Sequence, residues 1–230
     1  MAGLIDKKVF SWVPLSEVEA GQKVLTTRWV YDLKVNERGE IVREKARIVV
    51  RGYEQREGVE YSETFAATAR MDTIRMILSI AAEQRLTLSQ FDILQAFLES
   101  DLDGEVLYVH PPPGYGRPGE VWKLHRGLYG LKQAANLFSK HFSNILVTKL
   151  GMKRMKSDSC CYVLRRTRAN GKTAFLICSI WVDDGLIASS DDEIRKEFMD
   201  TLAQHIGVKD LGRAKWLLVC TSSRIRTLLM

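Results

Sequence analysis

Residues 160–189 constrain the fold more than any other stretch of the chain. Three runs rich in apolar and β-branched residues follow one another there, separated only by turn chemistry. The first two, near 160–166 and 173–182, flank TRANG at 167–171, and Asn-Gly is a strong tight-turn signal. The second turn is expected at Asp183, Asp184 and Gly185. Strands joined by such short turns pair antiparallel, whereas parallel pairing needs a crossover of a dozen residues or more. The segment therefore predicts consecutive hairpins rather than strict βαβ alternation.

The rest of the chain agrees. Trp29, Tyr31, Leu33 and Val35 alternate with Val30, Asp32 and Lys34, a period-two pattern. Asn36 to Gly39 supplies a turn, and a second strand is expected over 41–50, with Arg43, Lys45 and Arg47 on one face. Such a basic face is usually just solvated, and it can also track phosphates. Ile74, Ile77, Leu78 and Ala81 predict a helix capped by Asp72 or Thr73. Strands are expected over 86–93 and 106–110, then an extended PPPGY loop, a helix over 133–150, a helix starting at Ser190 and stopped by Gly207, and a last strand over 215–220. The fold class read from this order is α+β with an antiparallel sheet.

Composition removes several classes. Of 230 residues, 46% are hydrophobic and 27% charged, which excludes wholesale disorder. The longest nearly apolar run is 173–182, half of the roughly 20 residues a membrane helix needs. The start MAGLIDKKVFSWVPL lacks the long apolar stretch and cleavage pattern of a signal peptide. Cysteines stand at 160, 161, 178 and 220 with no CxxC, so zinc ribbons and thioredoxin-like motifs are out. They read as reduced thiols of an intracellular protein, in cytoplasm or nucleus, with no membrane partner. A net charge of +6 favours a polyanionic partner only weakly.

Three places could carry chemistry. WVDDGLIAS at 181–189 sets Asp183 and Asp184 between two strand-like runs. Asp-Asp-Gly is ordinary turn chemistry, and a hairpin tip can equally aim two carboxylates at a hard cation such as magnesium. Asp92 ends the strand LTLSQFDI and is either a turn residue or a third carboxylate of the same cluster, although 91 residues separate it from Asp183. Clustered carboxylates repel unless cations neutralise them. GLYGLKQAA at 127–135 leads into a helix and carries Lys132, which suits a phosphate-bearing ligand or a plain loop-to-helix junction.

These motifs sit in a longer ordered set. RWVYDLKVNERGEIVREKARIVVRGYEQREGVEYSETFA (28–66), TIRMILSIAA (73–82), QFDILQAFLESDLDGEVLYVHPPPGY (90–115), VWKLHRGLYGLKQA (121–134), SDSCCYV (157–163), WVDD (181–184) and KDLGRAKWLL (209–218) occur in order. The set resembles the reverse transcriptase of copia-type long-terminal-repeat retrotransposons over roughly residues 25 to 220. The resemblance implies a right-hand polymerase with an antiparallel palm sheet packed on helices. Fingers would take 1–71 and 101–134, palm 72–100 and 135–220, and 221–230 would be a truncated tail with the thumb absent or rudimentary.

It also implies an RNA-directed DNA polymerase adding dNTPs to a primer 3′-hydroxyl on an RNA or DNA template. Asp92, Asp183 and Asp184 would be catalytic and would hold two Mg2+ ions, with Mn2+ as substitute. Lys45, Arg47, Ile93, Phe97 and Gln133 would contact the dNTP, with Phe97 excluding a ribose 2′-hydroxyl. Trp216 and Leu217 would form the primer grip. A retroelement remnant that binds nucleic acid without catalysis stays open beside this reading. Gly185 stands where the family carries a larger apolar residue, and glycine there is expected to loosen the hairpin.

Overall fold

A computed structural model describes residues 1–35, 40–214, 216–217 and 220–221. In chain order the elements are α1 (Ala2–Asp6), β1 (Phe10–Pro14), β2 (Val24–Leu25), β3 (Thr27–Val35), β4 (Ile41–Val50), α2 (Met71–Glu83), β5 (Thr87–Ile93), β6 (Leu107–Val109), β7 (Glu120–Leu124) and α3 (Ala134–Asn144). There follow a π-helical turn (Ile145–Lys149), β8 (Lys153–Arg154), β9 (Cys161–Thr167), β10 (Thr173–Trp181), β11 (Asp184–Ser189), α4 (Asp192–Ala203), β12 (Val208–Arg213), β13 (Trp216–Leu217) and β14 (Cys220–Thr221). The chain mixes α and β, with its sheets built mainly from antiparallel pairs.

Two compact units share the chain: Met1–Ala66 with Phe97–Phe138, and Ala67–Ala96 with Ser139–Met230. The changeovers fall at 66/67, 96/97 and 138/139. In the first unit a four-stranded sheet runs β1-β7-β6-β2, antiparallel except for β2 on β6. Leu25, Val109, Trp122, Leu124, Leu128 and Leu131 are among its buried core. β3 and β4 form a separate two-stranded ribbon. Its expected turn, Asn36 to Gly39, lies outside the described residues.

The second unit is built on a six-stranded sheet in the order β12-β5-β11-β10-β9-β8, antiparallel throughout. On one face, Ile74, Ile77, Leu78 and Ala81 of α2 pack with Leu186, Ala188, Cys160 and Cys161. The expected helical spacing is therefore the buried stripe. On the other face, Phe91 meets Phe142 and Phe198 at centroid distances of 6.5 and 5.8 Å. Cys160, Cys161 and Cys178 are buried free thiols. Burial pushes the Cys161 thiol up to about 11, with Asp158 adding to it.

Several local expectations are corrected. Neither Asp72 nor Thr73 caps α2; its N-cap is Arg70. The buried Asp158 carboxylate serves that end instead, accepting from Arg70 N at 2.9 Å and Cys160 N at 2.9 Å. α4 is capped by Asp191, one residue after the expected Ser190, through Ile194 N at 2.8 Å. It ends at Ala203, before Gly207. The expected helix over 133–150 is α-helical only to Asn144. β1, β7 and β12 were not anticipated. β12 is the edge strand beside β5, and its bulge at Asp210/Gly212 breaks the period-two pattern that would have revealed it. Among the described residues no helix is long and apolar enough to cross a membrane.

Candidate active site

The turn between β10 and β11 is tighter than its sequence suggests. Trp181 pairs with Asp184, so only Val182 and Asp183 form the loop, and Asp184 and Gly185 already belong to β11. A two-residue hairpin loop requires positive φ at its first position unless a distortion intervenes. Val182 supplies it at φ +58°. A β-branched side chain in that region is a genuine outlier, costing about 1–3 kcal/mol. Strain of this kind persists where surrounding structure enforces it. Here Ile93 N donates to Asp183 O at 2.9 Å, tying the loop to the end of β5.

That tie sets the register. Asp92 lies directly opposite Asp184, Phe91 opposite Gly185, and Gln90 opposite Leu186. Directly opposed residues of an antiparallel pair share a face, with Cβ atoms about 4.5–5.5 Å apart. Two carboxylates 92 positions apart in sequence thus become neighbours by backbone pairing alone. On the other side of β5, Lys209 lies opposite Asp92. The register thus places a lysine on the sheet face that carries both carboxylates.

Gly185 does not loosen this hairpin. A Cβ there would come within 2.0 Å of Phe91 Cζ. The missing side chain is the space into which the fully buried Phe91 ring fits. The ring packs over the glycine of the neighbouring strand, a known means of fixing register. The pair anchors the sheet face opposite to Asp92 and Asp184, since side chains alternate along β5 and β11.

Asp183 stands in the loop, half-buried, while Asp184 is exposed. Among the described residues no group of three or more His, Cys, Asp or Glu is gathered closely enough to hold a metal ion. Magnesium characteristically needs only one or two carboxylates, completing its octahedron with water and substrate phosphates. The opposed Asp92 and Asp184, hard oxygen donors beside a strained loop bearing Asp183, fit that requirement.

The residues expected at the nucleotide lie in the other unit, Ile93 excepted. Lys45 and Arg47 share one face of the β3–β4 ribbon with Arg28 and Asp32, as the alternation predicted. Arg47 pairs with Asp32 at 3.7 Å. Phe97 packs edge-on against Tyr129, with centroids 4.9 Å apart. Trp216 and Leu217 pair with Thr221 and Cys220. The tail from 222 onward lies outside the described residues.

Gln133 is placed differently from the expectation of a ligand-facing side chain. It is 1% exposed, and both ends of its amide are engaged. Its Nε2 donates to Glu60 O at 2.9 Å and to Glu105 Oε2 at 2.6 Å. Its Oε1 accepts from Gln55 Nε2 at 2.9 Å. Gln55 in turn accepts from Lys132 N through Oε1 at 2.9 Å. The Glu60 carboxylate is fully buried and accepts from Arg56 N and Nε at 2.7 and 3.1 Å. Hydrogen bonds from Arg56 hold it below the usual carboxylate range against the effect of burial.

A model of the family described as reverse transcriptase (RNA-dependent DNA polymerase) matches residues 8–225. The chain belongs to the reverse transcriptase family. It is 36% identical over 216 residues to the retrovirus-related Pol polyprotein from transposon TNT 1-94 of Nicotiana tabacum, covering 93% of this chain and 16% of that one. It is 35% identical to the Pol polyprotein from transposon RE1 of Arabidopsis thaliana, over 89% of this chain and 14% of the relative. A Ty1 Gag-Pol polyprotein of Saccharomyces cerevisiae matches at 28% identity over 72% of this chain and 9% of its own length. The chain therefore spans about a sixth or less of the curated relatives it matches. Among solved structures, the protease-reverse transcriptase of prototype foamy virus aligns at 12% identity and a TM-score of 0.42, over 90% of this chain and 22% of that one. Within the reverse transcriptase family, then, this chain carries a register-opposed carboxylate pair and a buried glutamine network.

Proposed function

We propose that this chain is the RNA-directed DNA polymerase module of a retrotransposon, adding dNTPs to a primer 3′-hydroxyl on an RNA or DNA template. The observation that carries the reading is the Asp92–Asp184 pair beside the strained loop bearing Asp183. In the reaction the primer hydroxyl oxygen bonds to the α-phosphorus, the bond to the bridging oxygen breaks, and pyrophosphate leaves. Asp92, Asp183 and Asp184 would hold two divalent cations, Mg2+ or Mn2+, which supply activation of the hydroxyl and stabilisation of the leaving pyrophosphate. The sheet's part is to fix the carboxylates before substrate arrives.

Phe97 is assigned to the sugar, where its ring rejects a ribose 2′-hydroxyl. Lys45 and Arg47 are assigned to the triphosphate, where the arginine fork suits bidentate contact. The carbonyl of Ile93 is assigned as an added cation ligand, and Trp216 and Leu217 to the primer. Gln133 acts through the loop it braces, since its amide is already engaged.

The test is dNTP incorporation on an RNA template annealed to a DNA primer, with Mg2+ and Mn2+ side by side. Incorporation by the wild type that disappears in the Asp183→Asn, Asp184→Asn double variant supports the assignment. A folded wild type that binds the hybrid but incorporates nothing favours the second reading, a nucleic-acid-binding retroelement remnant.

A further inference from the structure

Lys132 is exposed, yet its ammonium is held in place by neutral groups alone. Nζ lies 3.1 Å from Tyr61 Oη and 3.4 Å from Gln55 O, and it sits over the Tyr61 ring, 4.4 Å from the centroid. Among the described residues no carboxylate lies within ion-pair distance of it. The two acids of the adjoining network are otherwise engaged. Glu60 is bound by Arg56, and Glu105 accepts from Gln133. A surface lysine with no fixed partners loses side-chain entropy on binding a ligand, up to about 2 kcal/mol on the usual scales. Lys132 has already lost part of it, because a π face and two oxygens orient the ammonium without cancelling its charge.

The support beneath it is rigid. Gln55 receives the Lys132 backbone N–H on the same side chain whose amide nitrogen grips Gln133 and Glu60. The segment carrying Tyr61 is closed on itself by Gly58 N to Tyr61 O at 2.8 Å and Glu60 N to Arg56 O at 3.0 Å. An ammonium has three donors. Two are directed at protein oxygens, and the third is left for an acceptor outside the protein.

We propose that Lys132, presented by Tyr61 and Gln55, is a phosphate-contact residue. Its ligand is a phosphate oxyanion, carried either by the nucleic-acid backbone or by a nucleotide triphosphate. The inference rests on the polymerase reading above; it decides the alternative that the sequence left open at Lys132 and adds a cation to the residues assigned there.

Two binding arms on the full chain separate the sources. One measures the Kd of a fluorescein-labelled RNA–DNA hybrid across a KCl series by anisotropy. The other measures the Kd of dTTP by calorimetry. Lys132→Met should weaken one arm about tenfold, the usual loss for one charge-assisted hydrogen bond. Loss in the hybrid arm, with the salt slope shallower by about 0.9, assigns the contact to a backbone phosphate. Loss in the dTTP arm alone assigns it to the triphosphate. Tyr61→Phe, which keeps the ring and removes the hydroxyl, should fall between wild type and Lys132→Met. Wild-type affinity and salt slope in Lys132→Met in both arms would overturn the proposal while leaving the polymerase reading intact. A folded wild type that binds neither probe would sink that reading, and this contact with it.

Discussion

In the six-stranded sheet, Asp92 and Asp184 are positioned by backbone register and backed by the Phe91–Gly185 fit. In the other unit, Gln55, Gln133, Glu60 and Glu105 are positioned by side chains holding one another, with little regular secondary structure beneath them. The difference concerns what each can tolerate. A register site survives loss of a polar side chain, because the ladder remains, but it fails when strands are forced apart. A network site fails when any one member is removed, because each leaves buried partners unsatisfied.

The sharpest way to break the comparison is through the glycines. A Cβ at Gly130 would lie 2.1 Å from Val50 O, and its φ is +92°. Backbone cannot yield there, so Gly130→Ala should destabilise by about 4 kcal/mol, combining strain and overpacking. Gly185→Ala meets a ring rather than a carbonyl and should cost about 2–3 kcal/mol. Adding Phe91→Leu to Gly185→Ala should recover part of that loss, measured by urea denaturation. Recovery of nothing would mean that the ring fit does not hold the register.

Gln133→Leu should cost about 2 kcal/mol, since Gln55 Nε2, Glu60 O and Glu105 each lose a partner. Asp184→Asn should cost less than 1 kcal/mol by the same measurement, because the ladder is untouched. Equal losses from the two substitutions would erase the distinction between the units.

A further effect depends on pH. Burial opposes ionisation of Asp158, but hydrogen bonds from Thr73, Arg70 N and Cys160 N outweigh it and hold the carboxyl below the usual range. A depressed folded value stabilises the fold above the unfolded carboxylate value, about 3.9, and loses that contribution as pH falls through the folded value. Asp158→Asn should therefore destabilise at pH 7 by about 1–2 kcal/mol. The gap from wild type should close as pH drops below 4. A gap independent of pH would assign the effect to packing. Smallest of all, Cys160, Cys161 and Cys178 should react with Ellman's reagent only on unfolding, since burial raises all three thiols.

The same contrast explains what could be read from sequence. Asp92, Asp183 and Asp184 could be picked out as candidates because each carries a local signal, a strand ending on an acid and a hairpin tip bearing two, but the pairing of Asp92 with Asp184 could not, since it joins strands far apart in the chain. The ribbon β3–β4 was legible for the same reason, from alternation over Trp29 to Val50. Asp158 as the support for α2 was not legible, because it comes from 88 residues away. The engagement of Gln133 was hidden likewise, its Gln55 partner being 78 residues distant. The Gly185 fit was misread as looseness, because its cause is a ring on a strand far earlier in the chain. Lys209 was hidden by the bulge that interrupts the pattern of its strand.

One variant tests the central claim most directly. Asp92 alone is brought to the hairpin by the fold rather than by sequence, so single-turnover incorporation by Asp92→Asn isolates the consequence of the Asp92–Asp184 register. The account predicts that incorporation on an RNA template falls by at least about a thousandfold, with melting temperature and hybrid affinity unchanged. Incorporation within a few-fold of wild type would contradict it.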